Sequence, residues 1–172
     1  MEFLIGRIVE GIIVGIVSSF IFQIINRTRK PKILIADKIS KTTVNNKVEY
    51  HIKIVNLKRH YIKNMKIYVM LADKHISANH TVVKTVPLKI SQADILFIDP
   101  YDKNDHEGKY AIRLGIQDNL EKMWTDETHM YLNIKVYCEN EKSSSGAVYE
   151  KSISKDCIQE GSFDFGKSTK II

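Results

Sequence analysis

Cysteine, proline and glycine are scarce here: two, three and eight residues in a chain of 172. So few cysteines exclude a disulfide scaffold, and so little proline and glycine excludes a collagen-like or low-complexity chain. Neither Cys138 nor Cys157 belongs to a CxxC pair, the six His show no HExxH spacing, and nothing resembles GxSxG. No metal, cofactor or catalytic residue is assigned on this basis, and the chain is read as a non-enzyme. What is present is 44% apolar and 27% charged residues, the mixture of one ordinary folded domain.

The apolar residues are unevenly spread. No charge falls between Gly11 and Asn26, and the apolar run reaches back to Phe3 across Arg7 and Glu10. A bilayer crossing takes about 20 residues at about 1.5 Å each, so residues 1–27 are expected to form one transmembrane helix. Arg7 and Glu10, three apart, share a helix face and would pair or reach the membrane edge. No small-x-small cleavage site precedes the polar Asn26-Arg27-Thr28-Arg29-Lys30, which argues against a secretory signal. Arg27, Arg29, Lys30 and Lys32 then set the orientation by the positive-inside rule. The expectation is a single-pass protein of the inner membrane, with residues 28–32 as a basic linker, 33–172 as a cytoplasmic domain, and lipid as a partner. Asn26-Arg27-Thr28 and Asn79-His80-Thr81 match the glycosylation pattern but would be inert there. Gly11, Gly15 and Ser19 recur every four residues, a stripe that favours helix packing and a homo-oligomer; glycine is also common in membrane helices for other reasons.

After Pro31 the apolar pattern changes to alternation by twos, the mark of half-buried strands. Strands are expected at Ile33–Ile39, Val48–Asn56, Met65–Leu71, Thr81–Leu88, Ile95–Ile98, Tyr110–Leu114, Tyr131–Cys138, Ala147–Ile153 and Phe163–Phe165. Thr42–Lys47 reads as a turn, and Gln117–Asp126 alone looks capable of a helical turn. The predicted class is all-β: an antiparallel sandwich or small barrel of about eight strands behind one N-terminal helix.

Gly161-Ser162-Phe163-Asp164-Phe165-Gly166-Lys167-Ser168 fits the phosphate-loop pattern, but only Thr169–Ile172 follow, too few for the helix that such a loop needs. It is read as coincidence. Asp99, Asp102, Asp105 and Glu107 crowd one stretch without the glycine of a calcium loop, and are read as a solvated loop. The strongest bias lies in Tyr50–Leu71, which carries Lys53, Lys58, Arg59, Lys63, Lys66 and two His without one acid. Lys53 and Lys66 are expected side by side on consecutive strands, near Tyr68, with Arg113, Lys135 and Tyr137 on similar faces. Cations with aromatics suit an anionic ligand carrying flat rings, a nucleotide for example. Two plainer accounts compete: lysines that blunt exposed strands, and attraction to anionic lipid.

An N-terminal span, a short basic stop and an all-β domain together resemble the SMODS-associated transmembrane β-strand-rich effectors of bacterial cyclic-oligonucleotide anti-phage systems. The likeness includes Tyr50-His51-Ile52-Lys53-Ile54-Val55-Asn56 and Gly161-Ser162-Phe163-Asp164-Phe165-Gly166, with one span where that family typically carries two. The resemblance implies a sensor-effector that binds a cyclic oligonucleotide, oligomerises and disrupts the inner membrane, with no role for duplex nucleic acid. A membrane-tethered immunoglobulin-like adaptor for a protein partner is the alternative, and a hydrolase ranks last.

Overall fold

A computed structural model describes residues 2–44, 47–77, 80–125 and 129–172. Asn79 of the second glycosylation-type triplet, Asn45 and Asn46 of the turn-rich stretch, and Asp126 lie outside the described residues. The chain is mostly β. Helix α1 (Glu2–Thr28) is followed by β1 (Ile33–Ile35), β2 (Ile39–Val44), β3 (Lys47–Asn56), β4 (Ile62–Ser77), β5 (His80–Pro87), β6 (Asp94–Ile98) and β7 (Ala111–Ile116). The one-turn helix α2 (Leu120–Met123), capped by the Asn119 side chain on the Lys122 amide, precedes β8 (Met130–Asn140), β9 (Gly146–Ile153) and β10 (Ile158–Glu160).

Among the described residues the strands form two five-stranded sheets. In the first, β1 and β2 share one edge of β3, β7 takes its other edge, and β10 runs parallel to β2. In the second, β4 pairs with β8 along one edge and with β6 and then β5 along the other, while β9 closes against β8. Inward side chains of both sheets meet in one cluster: Ile52, Ile54 and Leu114 from the first, Ile67, Val69, Leu132, Ile134 and Val136 from the second. Period-two alternation places these residues on single faces, and their burial supplies the main stabilisation, about 1.5–3 kcal/mol for each fully buried large aliphatic side chain.

Two departures from the sequence expectation bear on the site. Ile33–Ile39 is two strands, because the chain bends at Asp37 and Lys38 while continuing along the same edge of β3. Phe163–Phe165 is not a closing strand; Phe163 makes one isolated bridge to Ile171, and residues 161–172 fold back on themselves through Ser162–Ile172 and Asp164–Lys170 main-chain bonds.

The membrane expectation is corrected. Among the described residues no helix is long and apolar enough to cross a membrane. The physical shortfall is in the uncharged stretch: Gly11–Asn26 rises only about 24 Å at about 1.5 Å per residue, against about 30 Å of hydrocarbon. Arg7 and Glu10 stand exposed on the same helix. The single-pass anchor, the inner-membrane location and the cytoplasmic side assigned to the β-domain fall with it. Gly11, Gly15 and Ser19 lie exposed on α1, where a Cβ on either glycine would meet nothing within 4 Å. Residues 29–32 lie against the β-domain: the Tyr149 hydroxyl donates to the Pro31 carbonyl, and the Leu57 amide donates to the Lys32 carbonyl at 2.9 Å.

Candidate cation-rich cleft

The five residues expected to bind a ligand are divided between the sheets. Lys53 on β3 is in register with Arg113 on β7. Lys66 on β4 lies opposite Tyr137 and Asp94, and Tyr68 lies opposite Lys135. Lys53 and Lys66 are not neighbours, because β3 and β4, consecutive in sequence, belong to different sheets.

Lys66, Tyr68 and Lys135 are exposed, among carboxylates. Lys135 pairs with Glu150 at 3.6 Å, and Glu139 accepts from Tyr137 at 2.7 Å and from Asn64 at 3.1 Å. These bonds hold Glu139 below the ordinary glutamate range, the Tyr137 hydroxyl contributing most; the Asn133 amide does the same for Glu150. This face is mixed in charge.

Lys53 is only 1% exposed, although it points away from the shared core. Segment 161–172 covers it. Its ammonium donates to the Asp164 carbonyl at 2.6 Å and the Ser168 carbonyl at 2.7 Å, while the Arg113 guanidinium lies 4.9 Å from the centre of the Phe165 ring. Burial, followed by the Arg113 charge, lowers the Lys53 pKa to about 8, against the opposing pull of Asp164. Lys53 thus secures a loop from beneath it.

That loop carries Lys167, whose ammonium stands 5.7 Å from the centre of the Tyr101 ring. Lys32, Lys58 and Lys167, with Leu57 and Tyr101, line a cleft of about 270 Å³ that has no carboxylate among its described lining residues. Tyr101 also lines a second cleft of about 510 Å³, together with Arg59, Pro100, Asp102, Lys103 and Asn104. Tyr101 is the shared wall, its ring edge-on to Tyr110 at 5.0 Å.

Asn56, fully buried at the end of β3, aligns the loops that bring these cations together. Its amide donates to the carbonyls of His60 and Asp99, both at 2.8 Å, and its oxygen accepts from the Lys58 amide at 2.9 Å. The Tyr101 amide adds a bond to the Lys58 carbonyl at 2.7 Å. The nearby acids serve the loop itself. Asp102 accepts from the Asn104 amide, Asp105 from the Glu107, Gly108 and Lys109 amides, and Glu107 pairs with Lys109 at 3.0 Å. Among the described residues no group of three or more His, Cys, Asp or Glu could hold a metal ion.

Sequence reasoning singled out Lys58 and Arg59 as part of the acid-free stretch. It missed Tyr101, Lys103 and Lys32, the last of which was assigned to a membrane-flanking linker. Lys167 was dismissed with its phosphate-loop match, and residues 161–172 do lack the helix such a loop needs. The arrangement is chemically suited to an anion: ammonium groups supply charge-assisted hydrogen bonds, and an aromatic wall supplies a flat apolar contact.

No family model matches the chain, and no curated protein matches it. Among solved structures it is similar to the sporulation control protein Spo0M of Bacillus subtilis, at 7% identity and a TM-score of 0.34, over 75% of this chain. The chain spans about half of that protein, 49% of its length.

Proposed function

We propose that this chain is a non-enzymatic binding module, a mostly antiparallel β-sandwich that takes a phosphate-bearing ligand at the cleft beside Tyr101. The observation that carries this reading is that Lys32, Lys58 and Lys167 line one cleft together, beside Tyr101. Paired surface charges are weak contributors in water, but several cations converging on one concavity attract a multivalent anion and bind it through charge-assisted bonds. Tyr101 and the adjoining cleft give room for more than a free phosphate and favour a nucleotide. The resemblance to the cyclic-oligonucleotide effectors supplies a cyclic dinucleotide as the ligand to try. Membrane disruption forms no part of the reading. The exposed apolar side chains of α1, Ile12, Ile16 and Phe20 among them, support self-association of chains.

The test is calorimetric titration of the full chain with inorganic pyrophosphate and with a cyclic dinucleotide. Saturable binding is expected, weaker as salt is raised, and lost when Lys32, Lys58 and Lys167 are replaced together by alanine. Replacement of Lys66 and Lys135 is expected to leave it unchanged. No saturable heat with either probe overturns the reading.

A second reading, a protein adaptor, is favoured by β5: all eight of its residues are exposed, and its outer edge has no strand paired to it among the described residues. An extended segment of a partner protein would add there as a further strand. Loss of partner capture when Val83 is changed to proline would support it.

A further inference from the structure

A buried lysine beneath a loop that carries an exposed one links two parts of the molecule. Residues 161–172 contain no helix; their Phe163–Ile171 bridge lies within the segment, and among the described residues its main-chain bond to the sheets is the Gly161 amide to the Lys41 carbonyl. Between Asp164 and Ser168 the chain turns over Lys53, and the lysine bonds both ends of that turn, at the carbonyls of residues 164 and 168. Lys167, one residue before the second carbonyl, is therefore fixed relative to β3. From the other side Gly166, at φ 59°, packs so closely that a Cβ there would lie 2.7 Å from the Tyr110 hydroxyl oxygen.

On the reading that the Tyr101 cleft binds an anion, we infer that Lys53 is its positioning residue: it never touches the ligand but holds the 164–168 turn so that Lys167 completes the cleft. Asn56, three residues along the same strand, aligns the loop half of the cleft through Lys58 and Asp99. One strand thus sets both halves. The cleft is assembled only when residues 161–172 are seated, so occupancy of the cleft and seating of that segment are coupled and each favours the other.

Lys53→Met retains most of the side-chain volume but removes the ammonium. In the full chain, with inorganic pyrophosphate as probe, Lys53→Met and Lys167→Ala are each expected to weaken binding by about five- to tenfold. The double variant is expected to be no weaker than Lys167→Ala alone, because the two act through one contact. Hydrogen exchange at the amides of Asp164 and Ile172 is expected to quicken in Lys53→Met, while exchange in β8 stays as it was. If the wild type binds and Lys53→Met binds equally well, or if the two losses add, the positioning role is overturned and the anion site stands. If the wild type does not bind pyrophosphate, the anion site itself falls, and the positioning role with it. Should Lys53→Met fail to fold, Gly166→Ala decides: it dislodges the same turn without removing a cation, a similar loss supports the inference, and wild-type affinity overturns it.

Discussion

Gly108 and Gly166 meet backbone to backbone: a Cβ on Gly108 would lie 2.7 Å from both the amide nitrogen and the Cα of Gly166. Both have positive φ, 69° and 59°, conformations that residues with a Cβ adopt only at a cost. The contact joins the loop before β7 to the turn that carries Lys167. Gly108→Ala therefore combines an unfavourable φ with a collision against main chain that has no side-chain end to move. The expected cost is about 2–4 kcal/mol, read from urea unfolding. A cost below about 0.5 kcal/mol would mean that the two loops do not touch in solution.

Asn56 invites a sharper test, since one fully buried side chain serves three main-chain groups. Asn56→Ala leaves the His60 and Asp99 carbonyls and the Lys58 amide without it, at about 1–3 kcal/mol for each buried group that water does not reach. A total loss of about 3 kcal/mol is expected. Asn56→Asp, nearly the same shape, turns an acceptor toward two carbonyls and is expected to be at least as damaging. Equal stability of wild type and the Asp variant would contradict the hydrogen-bond assignment.

The sheets were legible because alternation is a local signal. Leu132, Ile134, Val136 and Cys138 lie every second residue, and all four are fully buried as the pattern requires. What alternation does not carry is which strands become neighbours. Lys53 and Lys66 both stand on the non-core side of their strands, as read, yet the chain changes sheets between them. Lys53 looked exposed because nothing in its own strand announces the cover that residues 161–172 provide, more than 100 positions away. The cleft was illegible for the same reason: Lys32, Lys58, Tyr101 and Lys167 come from four separate stretches that only the tertiary structure joins. The one local hint was the absence of acids around Lys58 and Arg59. The N-terminal run was apolar enough to suggest a span, but its uncharged part is too short and two ionic groups interrupt the rest.

Cys138 and Cys157 are both free, and they differ in setting. Cys138 sits in the shared core, where burial, aided by the charge of Glu139, pushes its thiol up to about 12. The thiolate is the reactive form, so Cys138 is expected to stay unlabelled by a thiol reagent at neutral pH. Cys157, half-buried beside Ser154, is expected to react. One thiol per folded chain and two under denaturant is the expected count. Rapid labelling of both in the native state would show that β8 is not at the centre of the core.

Lys53 gives the domain a pH dependence opposite to that of most lysines. Its pKa in the folded chain is lowered from 10.5 to about 8, first by burial and then by Arg113. Below about 8 both folded and unfolded chains hold the proton, and the folded state bears the full penalty of a buried charge. Between about 8 and 10.5 the unfolded chain binds more protons than the folded one, so stability rises with pH across that window. Comparison with Lys53→Met isolates the effect, because the remaining titrating groups are common to both proteins. Wild type should gain about 1–3 kcal/mol on the variant as pH is raised from about 7 to about 10, measured by urea unfolding at each pH. A difference that stays flat would mean that the lysine reaches solvent. One that shrinks would mean that the hydrogen bonds to the carbonyls of Asp164 and Ser168 outweigh desolvation and hold the ammonium in its charged form.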